Sequence, residues 1–356
     1  MAVLGRIAAQ SGVPPMRLMR EIASLSFGPG KIAFADYVRL RLFDDDFWVG
    51  VDKRTVIGRR RNREIVAQAN RPDAGGVCAN KVAAGAYLSA FGFAVPRRAA
   101  IYAPDLAAPG MMLLRARDQL REFLLTADAY PLLGRPAWAA HGLGAAELLG
   151  VDAAAGVLSH ADGRRQPVEA FIDHLCDNFT AGYLFDHRPA PHPSLTGVAG
   201  DRLTTVSLVT AVTDQGPRLF RACWTLPTRN GELILRLDPR TGAVLDCVSD
   251  DGLEMRRLAA HPETEAPFAG VRMPDWQALR ASAVEAARLF PELGLVGWRI
   301  APSADGAVIV DVDEQPDLLR HQLAERRGVV TPEFQAFLGE RRETLALSAA
   351  AVLDSW

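Results

Sequence analysis

Apolar positions along the chain repeat first at helical and later at strand spacing. Over 15–70 the residues Met16, Leu18, Met19, Ile22 and Leu25 recur every three to four positions, with a break at Phe27-Gly28-Pro29-Gly30, so this part is expected to be helical. Arg71-Pro72-Asp73-Ala74-Gly75-Gly76 reads as a turn-rich linker and places a boundary near residue 75. Residues 81–92 predict an amphipathic helix leading into Val95-Pro96. From 113 to 186 short strands and helices alternate, with a loop over 134–144 and an Ala/Leu-rich helix expected after it, which suggests a small α+β unit.

The pattern then changes. The runs LTTVSLVTAVT, PRLFRACWTL and ELILRLD, divided by turns at Asp214-Gln215-Gly216 and Arg229-Asn230-Gly231, predict an antiparallel sheet. Helices are expected over 276–289 and 331–352. Between them lies 297–317, GWRIAPSADGAVIVDVDEQPD, which predicts a hairpin: an Asp305-Gly306 turn, an apolar run over 307–310, then Asp311 and Asp313 before Pro316 ends the strand. Strand alternation puts the two aspartates on one face, roughly 6–7 Å apart, and Val308, Val310 and Val312 on the other. Two acids so placed suit Mg²⁺, which takes one or two carboxylates plus substrate phosphates. The same pair also reads as solvated acids at a strand end.

Composition narrows the function class. With 356 residues, 49% of them hydrophobic, the chain fills more than one core. A net charge of −2 gives no footprint for nucleic acid, and the run Arg59-Arg60-Arg61 reads as a solvated helix face. Cys78, Cys176, Cys223 and Cys247 form no CxxC, so neither a zinc site nor a disulfide framework is indicated. No secretory core and no run of eighteen apolar residues is found, and a cytoplasmic protein without membrane partners is expected. FGPGKI is not a P-loop, since Ile32 stands where Ser or Thr must bind Mg²⁺. Asp173, His174, Cys176, Asp177, His187 and His192 lie close in sequence but show no recognised metal-ligand spacing.

Several spaced motifs together resemble the ATP-grasp superfamily, and within it the sugar-transfer-associated branch (alpha-L-glutamate ligase-like). They are Asn80-Lys81 before Gly92 and Pro96, Arg135-Pro136 before Gly142 and Gly144, Asp186 before His192-Pro193, and the strand 204–210. Asp238 to Gly242, His261-Pro262-Glu263-Thr264, GVRMPDW over 270–276 and the 297–317 hairpin complete the set. The resemblance implies an α+β ATP-grasp fold in which two α+β subdomains clasp a nucleotide cleft, with a helical section at 1–75. The N-terminal and lid subdomains would then span 76–186 and the C-terminal subdomain 187–356.

The resemblance also implies roles. Lys81, Arg135, Gly142, Gly144 and Asp186 would hold ATP, Asp311 and Asp313 would bind Mg²⁺, and Arg135 and Arg299 would be the catalytic residues. The chain departs from the family pattern at several positions: Arg135 replaces a lysine, Ser207 an arginine, Trp224 aligns with a second arginine, the loop at Arg229-Asn230-Gly231-Glu232 is shortened, Arg299 replaces the first acidic metal ligand, and Asp311 and Asp313 replace a glutamate and an asparagine. At about 4 Å and an effective dielectric near 20, each unit charge beside a divalent cation contributes about 4 kcal/mol, so Arg299 opposes the metal. Either Arg299 swings away, or it pairs with Asp311 and Asp313 and fills the metal position.

The implied reaction is ATP- and Mg²⁺-dependent activation of a small-molecule carboxylate as an acylphosphate, followed by attack of an amine or other nucleophile. It would serve the making of a peptide, sugar conjugate or secondary metabolite. Two further readings stand beside it. One is a degenerate fold acting as a binding or scaffold subunit. The other is a cleft reused for another nucleotide or phosphorylated ligand, with Arg299 gripping an anion bidentately.

Overall fold

A computed structural model describes residues 2–105, 111–138, 144–229, 231–250 and 255–353. Gly142 and Asn230, singled out above, lie outside the described residues. The N-terminal helices are α1 (Ala2–Ser11), α2 (Pro15–Phe27), α3 (Phe34–Arg39) and α4 (Arg59–Ala69). They bury Leu18, Leu25, Tyr37 and Ile65 in one core with Val209, Leu295, Leu319 and Phe334 from the far end of the chain. In α4 the apolar stripe Ile65, Val66 and Ala69 faces inward, which leaves Arg59, Arg60 and Arg63 exposed on the other side.

After α5 (Gly76–Ala79) and α6 (Lys81–Ala90) the chain enters a first sheet. It begins with β1 (Arg98–Tyr102) and β2 (Leu113–Leu114), continues through α7 (Arg117–Leu124) into β3 (Leu132–Pro136), β4 (Ala146–Asp152), β5 (Val157–His160) and β6 (Arg165–Pro167), and closes with α8 (Val168–Asn178) and β7 (Tyr183–His187). The strand order is β2-β1-β7-β3-β4-β5-β6, antiparallel except for the β1–β2 pair. The Ala/Leu-rich helix expected after residue 144 is instead the β4–β5 hairpin. Gly150 interrupts the helical run, and the chain turns at Gly156 with φ +65°, so pairing of Leu148 against β3 outweighs helix propensity.

The second sheet comes after α9 (Thr196–Ala199). Its strands are β8 (Thr205–Thr213), β9 (Gly216–Thr228), β10 (Gly231–Leu237), β11 (Val244–Asp250), β12 (Met255–Arg257), then, beyond α10 (Trp276–Ala287), β13 (Leu295–Ser303) and β14 (Gly306–Asp313). They are antiparallel in the order β12-β11-β10-β9-β8-β13-β14, as the three long runs and the hairpin predict. One face packs on α10 around Trp224, Trp298 and Leu279. The other meets α11 (Leu318–Glu325) and the N-terminal helices, and α12 (Pro332–Leu353) ends the chain. No helix among the described residues is long and apolar enough to cross a membrane.

The two sheets meet along α6. Its Val82 packs on Ile101 and Leu184 of the first sheet, while Ala84 and Leu88 enter the core of the second. Leu133 of β3 also touches Ala301 and Val310 of the second sheet. Lys81, at the start of α6, therefore stands in the seam between two α+β layers.

The β13–β14 register corrects one expectation. Arg299 pairs with Asp311 but Ile300 pairs with Ile309, so Val310 is an extra residue in a β-bulge. Val310 turns to the seam with Leu133, while Ile309 and Val312 face the core around Trp298. Val310 and Val312 thus lie on different faces, because the bulge resets the alternation. Asp311 and Asp313, beyond it, do share a face.

Candidate functional site

Asn80 builds the first part of the site. Its Oδ1 accepts from the Val82 and Ala83 amides at 3.0 and 3.1 Å and caps α6, while the Lys81 amide donates to the Ala137 carbonyl at 3.0 Å. Lys81 is thereby fixed at the helix mouth with only 5% of its surface exposed. Its Nζ lies 2.8 Å from Asp311 Oδ1 and donates to the Val312 carbonyl at 2.8 Å.

Arg135 approaches the same carboxylate from the first sheet. Its Nε and Nη2 donate to Asp186 Oδ2 at 3.2 and 2.8 Å, and its Nη1 donates to the Val310 carbonyl and lies 3.9 Å from Asp311 Oδ1. Arg98 of β1 holds the other oxygen of Asp186. Asp186, expected to meet the nucleoside, is fully buried with both oxygens engaged by these arginines. The result is a chain from Arg98 through Asp186, Arg135 and Asp311 to Lys81, three cations against two carboxylates. It borders a cavity of about 400 Å³ walled by Ala84, Gly85, Arg97 and Met111. Surplus positive charge beside such a cavity favours an anion, and Arg supplies a fork of donors for one.

Asp311 also borders a second, smaller hollow of about 50 Å³ with Ser207, Arg299, Asp313, Arg320 and His321. Ser207, Arg299 and Asp311 form one row across β8, β13 and β14. The Arg299 guanidinium makes no ion pair with either aspartate and has no hydrogen-bond partner among the described residues, so it does not fill the metal position. The Asp311 and Asp313 carboxylates border the same hollow and are hard oxygen donors, a pair that suits one Mg²⁺ completed by phosphate and water. Among the described residues no group of three or more His, Cys, Asp or Glu is placed to hold a metal.

Four further charged or titratable residues border or support the site without any motif to mark them. Arg98 completes the grip on Asp186. Arg320 borders the small hollow and pairs with Glu232 at 2.7 Å. Fully buried His321 has its Nε2 3.3 Å from Ser207 Oγ, while its Nδ1 has no partner among the described residues. Burial, together with the charges of Arg221 and Arg320, pushes the His321 pKa down to about 3 and keeps the ring neutral. The fourth is Arg221, on the same face of β9 as Cys223. Trp224 points the other way, into the α10 core, and Cys223 is the β9 residue beside Ser207. Arg221 is held by Glu325 and by the Gly328 carbonyl at 2.8 Å.

Gly144 has φ +75°, and a Cβ there would lie 2.5 Å from the Phe179 ring; its carbonyl accepts from the Tyr183 hydroxyl at 2.8 Å. It anchors the end of the loop to the first sheet. The cluster Asp173, His174, Cys176 and Asp177 lies on α8, apart from this site, with Asp173 paired to Arg117.

The family described as sugar-transfer associated ATP-grasp matches residues 60–336. No curated protein matches the chain. Among solved structures, the VanG D-Ala:D-Ser ligase of Enterococcus faecalis is similar at 13% identity and a TM-score of 0.44, over 76% of this chain and 63% of that one. The D-alanine-D-alanine ligase of Coxiella burnetii is similar at 10% identity and a TM-score of 0.44, over 80% and 64%. The N5-carboxyaminoimidazole synthase of Aspergillus clavatus, in complex with ADP and 5-aminoimidazole ribonucleotide, is similar at 11% identity and a TM-score of 0.44, over 81% and 58%. The chain spans less than two thirds of the length of these three structures.

Proposed function

Because this chain belongs to the sugar-transfer associated ATP-grasp family, we propose that it moves the γ-phosphoryl group of ATP to a small-molecule carboxylate and lets an amine or other nucleophile displace the phosphate. The observation that carries the proposal is the linked set Arg98, Asp186, Arg135, Asp311 and Lys81 beside the 400 Å³ cavity. Phosphoryl transfer asks little covalent work of side chains and depends on positioning and charge neutralisation. Lys81 and Arg135 would exchange part of their grip on Asp311 for phosphate oxygens, while Arg98 and Asp186 keep the Arg135 fork aimed. Arg299, without a hydrogen-bond partner among the described residues and next to the aspartates, would take the carboxylate or the transferring phosphoryl group. Mg²⁺, held by Asp311 and Asp313, would neutralise phosphate charge.

Calorimetry of ATP binding with and without Mg²⁺ tests this. Binding that requires Mg²⁺ and is lost in Asp311→Ala, with ADP released only when a carboxylate is added, is the expected result; no nucleotide binding at any Mg²⁺ concentration would sink it. A second reading, nucleotide binding without ligation, is favoured by Lys81 already occupying Asp311 and by the positive charge of Arg299. It predicts ATP affinity indifferent to Mg²⁺ and no ADP with any acceptor.

A further inference from the structure

Gly85 stands in the middle of α6, where nothing in the backbone calls for glycine. Its φ is not in the left-handed region, and a Cβ built on it meets a single atom, Arg98 Nη2, at 3.5 Å, an ordinary contact. Glycine is the poorest helix former after proline, so alanine would serve the helix better. The missing side chain leaves space instead: Gly85 borders the cavity of about 400 Å³ between α6, β1 and β14, beside the Arg98 guanidinium. That volume lies within the roughly 300–1,000 Å³ range of small-molecule sites.

The cations around this space are unevenly committed. Lys81 is taken up by Asp311 Oδ1 and the Val312 carbonyl, and Arg135 by Asp186 and the Val310 carbonyl. Arg98 gives only its Nε to Asp186, and neither of its amino groups has a hydrogen-bond partner among the described residues: Nη1 is buried, and Nη2 is the atom nearest Gly85. Arg97, exposed and bordering the same cavity, has no ion pair among the described residues. The wall between these donors is mainly apolar, with Leu88, Pro96, Met111 and Ile309. An apolar wall that ends on an uncommitted guanidinium edge suits a ligand with an apolar body and one anionic end, and a charge-assisted bond to a carboxylate is the strongest use of such a donor.

We propose that the cavity over Gly85 binds the acceptor, and that the acceptor is an apolar monocarboxylate, an aliphatic or aryl acid whose body lies on Gly85, Leu88 and Met111 and whose carboxylate meets Arg98 Nη2. The acceptor role rests on the ligase reading above; the binding site stands on the cavity alone. Asp311 borders this cavity and also the hollow of Asp313 and Arg299, and it is the one lining residue the two spaces share, so they meet at its carboxylate. Arg299 is then left to the transferring phosphoryl group.

Calorimetry with hexanoate and with benzoate makes the test, with acetate as the control that lacks a body and 1-hexanol as the control that lacks a charge, each with and without saturating ATP. Hexanoate or benzoate should bind at least about tenfold more tightly than either control and should stay bound when ATP is added. Whichever acid binds better tells an aliphatic from an aryl acceptor. Gly85→Leu, whose side chain starts 3.5 Å from Arg98 Nη2 and extends into the cavity, should weaken the acid at least about tenfold and leave ATP affinity within about twofold. Its Tm should hold or rise, because leucine is the better helix former. Should Gly85→Leu fail to fold, Gly85→Ala, which adds one methyl group at an ordinary contact distance, makes the same comparison with a smaller loss. The proposal is overturned if neither acid exceeds both controls, if the folded variant binds the acid as the wild type does, or if ATP displaces the acid or loses affinity along with it in the variant, since the cavity would then belong to the nucleotide. If the acid binds as expected but ATP binds nowhere, the ligase reading and the acceptor role fall together and the cavity remains a site for an apolar acid.

Discussion

Lys81, in the first turn of a helix, and Asp311, at the end of a strand 230 residues later, meet at 2.8 Å with only 5% and 13% of their side chains exposed. The pair ties α6, in the seam between the two sheets, to β14 and lies at the point where phosphate and metal charge would converge. Breaking a pair this buried by removing one partner typically costs about 3–5 kcal/mol, because the other charge stays in place uncompensated. Lys81→Met should therefore lose stability on that order in urea unfolding and lose ATP binding as well. Lys81→Met combined with Asp311→Asn should regain a good part of the stability but none of the ATP affinity. Equal stability of the single and double variants would mean that the pair is not coupled.

Asp186 has no exposed surface and depends on two arginines. Arg98→Ala removes one grip and leaves a buried carboxylate half-satisfied, so a loss of roughly 2–4 kcal/mol is expected. Arg98→Lys restores the charge but not the side-on geometry and should recover only part of it. Differential scanning calorimetry of the three proteins gives the comparison, and an unchanged Tm in Arg98→Ala would refute the role assigned to Asp186 as a structural anchor.

The sequence carried much of this and missed some of it for definable reasons. Asn80-Lys81 is legible because a cap and a helix start are local, and Asp311 with Asp313 because alternation over two residues is local. The Val310 bulge is not legible, since an extra residue in a strand shows only against its partner, here the Arg299–Asp311 and Ile300–Ile309 pairs. The family resemblance aligns Trp224 with an arginine, while the β8–β9 register puts Cys223 beside Ser207. Residues 146–152 have helix-forming composition and become β4 because a neighbouring strand is available. Arg320 and His321 could not be placed from the sequence, because their position depends on how α11 docks over β9 and β10.

His321 gives a pH dependence with a definite sign. Its folded pKa of about 3 lies below the ordinary value of 6.5, so between these limits the unfolded chain takes up the proton and the folded one does not. Its contribution to stability is complete above pH 6.5 and declines as pH falls toward 3, at no more than about 1.4 kcal/mol per pH unit. His321→Gln, which keeps a polar group near Ser207, should flatten this part of the stability profile between pH 6.5 and 4 in urea titrations. A profile as steep as the wild type would assign the slope to other groups.

Arg299 tests whether metal binding is limited by one charge. It is half-buried, has no partner among the described residues, and faces Asp311 across the hairpin, so Arg299→Asp removes no ion pair among them. The substitution exchanges a positive for a negative charge beside two carboxylates. At an effective dielectric near 20 and a few ångströms, such a change amounts to several kcal/mol before screening, and even a strongly screened remnant exceeds a factor of ten. Mg²⁺ titrated into the variant in the absence of nucleotide should bind at least tenfold more tightly than into the wild type. Folding should be little affected, because the carboxylate replaces a side chain that is only half-buried. A variant that folds and takes up Mg²⁺ no better than the wild type would show that Asp311 is committed to Lys81 and that this face of β14 is not a metal site.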